Sequence, residues 1–205
     1  MIDLIIFPYS GTGKEVLDCI HNNETVLFIS DDNTNIGKKI HGVEIKTRSS
    51  IDLYPNAKII LVHGSAQNHL KRNNIIEEFN VPIDRFATII HPSAIISKQA
   101  EIGKNVFISA GVIIGPNVII EDHVIILAGS IIHHDSHVKK NSIICGNVLI
   151  AGNVIVNENC YIGASSSIKN NQSIGNNCLI GMGSIVLNSI DANQTCYGIP
   201  AKSKK

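Results

Sequence analysis

An aliphatic residue recurs at every sixth position through the second half of the chain. Four positions after each one, the residue is small or β-branched in nearly every hexad, with Gln172 as the conspicuous exception. A helix needs a period near 3.6 residues and an exposed strand a period of 2, so neither explains a strict six. The pattern is typical of a parallel β-helix built from short strand-and-turn units. Sixteen hexads run without insertion, and they begin at Ile96, Ile102, Ile108, Ile114, Ile120, Ile126, Ile132, Val138, Ile144, Ile150, Val156, Ile162, Ile168, Ile174, Ile180 and Val186.

The first half of the chain has a different pattern, in which short apolar runs are followed by polar turns and helical stretches. The runs cover residues 2–7, 26–29 and 58–62. Strands that alternate with helices predict a small parallel sheet of Rossmann-like type, with ligands at the carboxyl ends of the strands. We therefore expect two domains, an α/β domain over residues 1–90 and a β-helix over residues 91–205.

Polar and glycine-rich segments follow each of these apolar runs and supply candidate substrate-binding residues. A glycine turn before a helix can hold a phosphate on free N–H groups, although a bare tight connection explains it equally well. Two acids after the second strand can accept hydrogen bonds from a ribose or a base, or can simply lie in a solvated loop. Lys71 and Arg72, further along, are either phosphate contacts or surface charges. The candidates are Ser10, Gly11, Thr12, Gly13, Asp31, Asp32, His63 and Gly64.

Charge and composition exclude several classes of function. Seventeen basic and seventeen acidic side chains give a formal net charge of zero, which disfavours nucleic acid and anionic membranes as partners. The amino terminus, MIDLIIFPYS, has neither a basic region nor an apolar run long enough for a signal peptide or a membrane span. We expect a cytoplasmic protein. The five cysteines are odd in number and lack CxxC spacing, which predicts reduced structural thiols.

Three histidines lie within five residues in the segment SIIHHDSHVKK, residues 130–140. In the six-residue frame His134 and Asp135 fall at a turn, while His133 and His137 lie on either side of it. A metal site needs three or four converging ligands, and no cysteine or HExxH arrangement completes one here. We therefore expect no metal. One imidazole beside an acid is better suited to proton transfer, since histidine titrates near neutral pH.

The repeat, an Ile or Val followed four positions later by a small residue, resembles that of the hexapeptide-repeat acyltransferases. The ending YGIPAKSKK, residues 197–205, resembles the G-x-P-A-[Lys/Arg] ending of the same superfamily. The order of segments along the whole chain resembles a narrower family, the sugar acetyltransferases that modify nucleotide-linked amino sugars or sialic acid. Where many of those relatives read G-A-G-G-H-G, this chain has PYSGTG at residues 8–13.

This resemblance implies a left-handed parallel β-helix with three hexads per coil, acetyl-CoA as co-substrate and a nucleotide-sugar on the amino-terminal domain. It also implies a homotrimer with a site at each subunit boundary. In the family, a histidine followed by an acid is the general base, which here implies His134 as base and Asp135 as its supporting acid. One coil of 18 residues further on, Gly152 would offer its amide to an oxyanion. The implied acetyl-CoA contacts are Ala164, Gly181, Met182, Gly183, Gly198, Pro200 and Lys202.

The acceptor stays open at this stage. The leading hypothesis is an N-acetyltransferase acting on a nucleotide-linked amino sugar, of 4-amino-4,6-dideoxy type, in surface-glycan (lipopolysaccharide) biosynthesis. An O-acetyltransferase of sialic acid type would use the same base on a hydroxyl. A histidine that some relatives carry on the next hexad is replaced here by Ser142-Ile143-Ile144. The alternative from another class is a non-catalytic β-helix scaffold, or a carbonic-anhydrase-like metalloprotein with histidines brought together across subunits.

Overall fold

The amino-terminal half forms one five-stranded sheet in a computed structural model that describes residues 2–20 and 24–204. Its order is β3-β4-β2-β1-β5, and β1 pairs in parallel with both β2 and β5. The three predicted apolar runs became strands because their side chains are almost wholly buried. The strands are β1 (Leu4–Phe7), β2 (Val26–Ile29), β3 (Lys39–Ile40), β4 (Val43–Lys46) and β5 (Lys58–Leu61).

Two short helices and three short 3-10 segments flank this sheet. Helix α1 (Gly11–Leu17) begins after Ser10, whose side chain accepts a hydrogen bond from the Gly13 N–H. Helix α2 (Arg72–Glu78) follows β5. The 3-10 segments are Arg48–Leu53, His69–Lys71 and Ile83–Arg85.

The prediction of an all-parallel sheet was wrong at one edge. Strand β3 runs antiparallel to β4, and the two are joined by His41 and Gly42. Both joining residues have positive φ values, 48° and 82°, the backbone geometry of a tight hairpin turn. The domain is therefore Rossmann-like only in its parallel part, β4-β2-β1-β5.

The carboxy-terminal half is a parallel β-helix, and each of the sixteen predicted aliphatic positions ends one two-residue strand. Paired residues are 18 apart in sequence, as in Ile113, Ile131 and Leu149, so three hexads complete one coil. These strands are β7 (Ile95–Ile96), β8 (Glu101–Ile102), β9 (Phe107–Ile108), β10 (Ile113–Ile114), β11 (Ile119–Ile120), β12 (Ile125–Ile126), β13 (Ile131–Ile132), β14 (His137–Val138), β15 (Ile143–Ile144), β16 (Leu149–Ile150), β17 (Ile155–Val156), β18 (Tyr161–Ile162), β19 (Ser167–Ile168), β20 (Ser173–Ile174), β21 (Leu179–Ile180) and β22 (Ile185–Val186).

Three sheets make the three faces of the β-helix. The first face holds β7, β10, β13, β16, β19 and β22, and the second holds β8, β11, β14, β17 and β20. The third face holds β9, β12, β15, β18 and β21, together with β6 (Ile89–Ile90), β23 (Thr195–Tyr197) and β24 (Lys202–Ser203). The inward aliphatic side chains of all three form one buried core. Parallel sheets with this repeat fit the left-handed β-helix that the resemblance implies.

Each corner from the one between β8 and β9 to the one between β21 and β22 contains a residue in the left-handed backbone region. It is the fourth residue of the hexad, with φ between 54° and 72°. Asparagine, aspartate and glycine tolerate this conformation best, which explains why they recur at this position. The residues are Asn105, Gly111, Asn117, His123, Gly129, Asp135, Asn141, Asn147, Asn153, Asn159, Ser165, Asn171, Asn177 and Gly183.

The amino-terminal domain covers the third face. Outward side chains of that face, including Phe107, Ile125 and Ile143, share a buried cluster with Ile6 and Phe28 of the sheet. Ile119 and Ile113, on the second and first faces, remain exposed. Two of the three faces of the β-helix are therefore uncovered in the single chain.

Arg72 links the two domains at the corner between the second and third faces. Its guanidinium is fully buried and donates to the backbone carbonyls of His63, of Leu61 (3.4 Å) and of His123 (2.6 Å). Both readings that the sequence left open for Arg72, a phosphate contact or a surface charge, were therefore wrong. Lys71, beside it, is exposed.

The helices of the described residues are all too short or too polar to span a lipid bilayer.

Candidate active site

His134 and Asp135 occupy the corner between the first and second faces, between β13 and β14. Their backbone is held from both neighbouring coils. The Asp135 N–H donates to the Pro116 carbonyl (3.0 Å), and the His134 carbonyl accepts from the Asn153 N–H (3.0 Å). The corner is thus a rigid part of the β-helix, although the side chains of His134 and Asp135 are 54% and 44% exposed.

The His134 imidazole is oriented by a carboxylate. Its Nδ1 lies 2.6 Å from Oδ2 of Asp135, and Oδ1 of Asp135 accepts a hydrogen bond from Nδ2 of Asn117 (2.9 Å). The bond from Asn117, and then that from His134, lowers the pKa of Asp135 below its usual value. Because an ionised carboxylate only accepts hydrogen bonds, we assign the proton of the neutral ring to Nδ1. Nε2 is then left as a hydrogen-bond acceptor.

Gly152 lies against the open side of this ring. A Cβ on Gly152 would be 2.7 Å from both Cε1 and Nε2 of His134, so a side chain at this position would displace the ring. The coil spacing predicted this contact. Within residues 2–20 and 24–204, the Gly152 N–H has no hydrogen-bond acceptor. The corner therefore combines an imidazole acceptor with a free backbone donor.

The other two histidines of the cluster point to no common centre with His134. His133 is exposed, and Nε2 of His137 pairs with Oε1 of Glu121 (2.7 Å). In the part of the chain that the structure describes, no group of three or more His, Cys, Asp or Glu side chains is arranged to hold a metal ion.

The glycine turn of the amino-terminal domain lies at the carboxyl end of β1. Gly13 is required by packing, because a Cβ there would collide with the Pro8 carbonyl oxygen. A Cβ on Gly11 would meet no atom within 4 Å, so the surface above the turn is open. Ser10 caps helix α1 and Thr12 is half-buried beside it. Of the two glycines, Gly11 is the one with space for a ligand next to it.

The two predicted acids after β2 have different environments. Asp31 forms a two-point ion pair with Arg48 (2.6 and 2.7 Å), whose guanidinium packs against the rings of both Phe7 and Phe79. Asp32 accepts from the N–H and Oγ1 of Thr34 (2.9 and 2.7 Å), which lowers its pKa. Asp32 therefore stabilises its own turn, whereas Asp31 is held in place at the sheet edge.

His63 and Gly64 follow β5 at the same edge. The His63 ring stacks on Phe7, and its Nε2 lies 3.1 Å from Nδ2 of Asn68. Burial, and then the Arg72 and Arg48 cations, lower the pKa of His63. Gly64 has φ +149°, and a Cβ there would collide with Cδ1 of Ile143 on the third face. The edge thus brings the candidate substrate-binding segments together next to the β-helix.

The candidate acetyl-CoA residues gather at another corner, between the third and first faces. The Ala164 carbonyl accepts from the Gly183 N–H (2.8 Å), and a Cβ on Gly181 would lie 2.8 Å from Cβ of Tyr197. Met182, between Gly181 and Gly183, is 76% exposed. Gly198, Pro200 and Lys202 belong to the β23–β24 hairpin that ends the β-helix beside this corner.

The two corners are separated in a single chain. The first face lies between the His134 corner and the corner that carries Ala164 and Met182. One chain therefore does not bring the candidate base next to the candidate acetyl-CoA residues of the same chain. The sequence contained the signal for this separation, because His134 and Ala164 fall in different thirds of the 18-residue coil.

Comparisons with known proteins agree with this architecture. Residues 99–134 match the family model described as bacterial transferase hexapeptide (six repeats). No curated protein matches the chain. The acetyltransferase domain of PglB from Neisseria gonorrhoeae FA1090 is 20% identical, with a TM-score of 0.86 over 100% of both chains. PerB from Caulobacter crescentus, solved with CoA and GDP-perosamine, is 22% identical, with a TM-score of 0.83 over 99% of this chain and 97% of that one.

WeeI from Acinetobacter baumannii AYE is 21% identical, with a TM-score of 0.67 over 100% of both chains. The predicted hexapeptide repeat and the resemblance to sugar acetyltransferases of this fold are confirmed. At these identities, the likeness to solved structures establishes the fold over the whole chain.

Proposed function

We propose that this protein transfers the acetyl group of acetyl-CoA to the amino group of a nucleotide-linked sugar, with His134 as the general base. The observation that carries the proposal is the His134 corner, where Asp135 holds Nδ1 and leaves Nε2 on the side of the ring that lies against the backbone of Gly152. Similar structures contain acetyl coenzyme A in PglB and CoA with GDP-perosamine in PerB. These ligands support the two co-substrate classes.

The chemistry follows from the geometry of this corner. The sugar nitrogen attacks the thioester carbonyl while Nε2 of His134 takes its proton. The Gly152 N–H donates to the oxygen that becomes negative in the tetrahedral intermediate. As that intermediate collapses, the C–S bond breaks and the proton passes from Nε2 to the departing thiolate. Asp135 stabilises the imidazolium that exists between these two steps.

The amino-terminal sheet edge is the proposed nucleotide-sugar site. Asp31 is partly exposed and each of its oxygens has a lone pair beyond its bonds to Arg48, so it can accept from a base or ribose. Gly11 leaves open space over the glycine turn at the same edge. Asp32 is assigned no ligand contact in this proposal, because its carboxylate closes its own turn onto Thr34 and Asn35.

The separation of the two corners supports a homotrimer. A threefold arrangement allows the His134 corner of one subunit to meet the Ala164 and Met182 corner of the next. Both uncovered faces carry exposed aliphatic columns, which include Ile95 and Leu149 on the first face and Ile119 and Ile155 on the second. Columns of this kind favour a partner surface. Since acetyl-CoA is a cytoplasmic metabolite, we propose a cytoplasmic reaction in surface-glycan biosynthesis.

A thiol-release assay with acetyl-CoA tests the proposal against a panel of UDP-, dTDP- and GDP-linked amino sugars, including 4-amino-4,6-dideoxy sugars, and free sialic acid. We expect turnover with at least one nucleotide-linked amino sugar. His134→Ala should lower kcat roughly 10²- to 10⁴-fold, the usual contribution of a general base. The matched control is His133→Ala, which removes the neighbouring exposed imidazole and should leave kcat within about threefold.

Turnover retained by His134→Ala would remove this residue from the base role. Activity with sialic acid alone would make the protein an O-acetyltransferase. If acetyl-CoA releases no thiol with any acceptor on the panel, acetyl transfer to sugars of these classes is refuted.

A further inference from the structure

Asn117 is joined to the His134 corner from the preceding coil. It lies 18 residues before Asp135, at the same corner and in the same left-handed backbone conformation (φ 56° and 59°). Its Nδ2 donates to Oδ1 of Asp135 (2.9 Å), and Oδ2 of Asp135 bonds Nδ1 of His134 (2.6 Å). A continuous line of hydrogen bonds therefore runs along the β-helix axis from Asn117 to the imidazole.

We propose that Asn117 is a positioning residue, which holds the Asp135 carboxylate so that His134 presents Nε2 to the acceptor. This inference rests on the proposed function. The Asp135 and His134 side chains are 44% and 54% exposed, so packing alone does not determine their rotation. Hydrogen bonds must therefore fix the rotation of these side chains. Asn117 supplies the bond to Oδ1 of Asp135, the carboxylate oxygen that does not face His134.

The backbone alone does not account for this bond. Asn153 and Asn171 occupy the same corner one and two coils beyond Asp135, with φ values of 56° and 59°. Asparagine is common at this position because it tolerates positive φ. Asn117 differs in that its amide ends on the Asp135 carboxylate. A neutral donor also holds the carboxylate without neutralising it, which leaves the negative charge available to the imidazolium.

Glycine substitution separates the two roles of Asn117, which are to adopt the positive φ of the corner and to donate a hydrogen bond to Asp135. Asn117→Gly removes the amide and keeps a residue that adopts positive φ without strain. Asn171→Gly makes the same exchange at the same corner, two coils from Asp135, and is the matched control. We expect Asn117→Gly to lower kcat about tenfold with KM for acetyl-CoA unchanged, since one charge-assisted hydrogen bond is lost. Asn171→Gly should stay within about twofold.

The His134 tautomer gives a second readout that needs no activity and that a purely structural role would not change. Histidine-selective ¹⁵N NMR reports which ring nitrogen carries the proton, and the His134 signals are assigned by their loss in His134→Ala. We expect the Nδ1–H form in the wild-type protein and in Asn171→Gly. Asn117→Gly should show a mixture of the two tautomers.

An unchanged tautomer in Asn117→Gly overturns this inference, whatever the activity. So does a kcat equal to that of Asn171→Gly in an active enzyme. If the wild-type protein releases no thiol with any acceptor, the proposed function fails, and the NMR comparison still decides whether Asn117 orients the imidazole.

Discussion

The imidazole of His134 lies directly against the backbone of Gly152, one coil further along the chain. A Cβ on residue 152 would approach Cε1 and Nε2 of the ring to 2.7 Å each. Gly152 does not have the left-handed φ found at the corners, so its backbone does not require a glycine. The space that the missing side chain leaves is the space that the ring occupies.

Gly152→Ala should therefore displace the His134 ring without disturbing the β-helix. We expect kcat to fall roughly 100-fold, the magnitude of losing one oxyanion donor or misplacing a base, with a melting temperature within a few degrees of wild type. Steady-state kinetics and a thermal melt measure the two quantities.

The control for this substitution is Gly146→Ala. Gly146 has the same place in its hexad, and a Cβ there would lie 3.3 Å from the Ala128 carbonyl oxygen and away from His134. A similar loss of kcat in both variants would mean that the effect is general to the coil and unrelated to the ring.

Asp31→Asn should weaken nucleotide-sugar binding. The change removes a charged acceptor, which contributes about 1.5–3 kcal/mol to a hydrogen bond, so KM for the sugar should rise at least tenfold with kcat nearly unchanged. Asp32→Asn is the matched control, because asparagine closes the same turn onto Thr34. Equal KM values for the two variants would argue against Asp31 as a ligand contact.

Arg72→Met should destabilise the protein by about 2–4 kcal/mol. Methionine keeps the aliphatic bulk but leaves the carbonyls of Leu61, His63 and His123 without their buried donor. Urea unfolding measures the change. Lys71→Ala, at the exposed neighbour, should stay within about 0.5 kcal/mol. A small effect in Arg72→Met would mean that water replaces the guanidinium at the domain junction.

His123 should make stability fall in mild acid. Burial, and then the Arg72 cation, lower the pKa of His123 from 6.5 to about 4, with Asp122 and Lys140 as the other charges near it. Below pH 6.5 the unfolded chain binds a proton that the folded chain does not. The stabilisation is therefore complete above pH 6.5, and about 1–3 kcal/mol of it is lost as the pH falls towards 4.

His123→Asn tests this assignment. Asparagine occupies the same corner at positions 105 and 141, so it fits the positive φ of residue 123. We expect urea unfolding of this variant to depend less steeply on pH between 6.5 and 4. His63 and His69 also have lowered pKa values, so some slope should remain. A slope identical to that of wild type would assign the effect to other groups.

The β-helix could be predicted residue by residue because one local rule repeats. Every hexad has the same inward aliphatic position, and the 18-residue coil then places Gly152 beside His134 by arithmetic alone. The same arithmetic applied backwards from Asp135 leads to Asn117, a signal that the sequence contained and the interpretation missed. The asparagines and glycines that recur at the fourth position of most hexads also marked the corners.

The amino-terminal domain lacks such a rule, and its contacts were harder to predict. Arg48 meets Asp31 because the β3–β4 hairpin returns the chain so that β4 pairs with β2, and the turn signal of this hairpin, His41-Gly42, was not recognised. Arg72 becomes buried only because His123, 51 residues away in sequence, lies opposite it when the domains dock. Long-range docking of this kind leaves no periodic trace in a single sequence.

The uninterrupted coil also limits how the length of this chain can change. Insertion or deletion of one residue between Asn117 and Gly152 would turn inward side chains outward. A change of six residues between His134 and Gly152 would restore the interior but move Gly152 and every later residue to the next face, which would separate Gly152 from His134. Only a change of 18 residues keeps both interior and faces in register. The length of the β-helix can therefore change only by whole coils of 18 residues if the residues of the candidate active site are to stay at their corner.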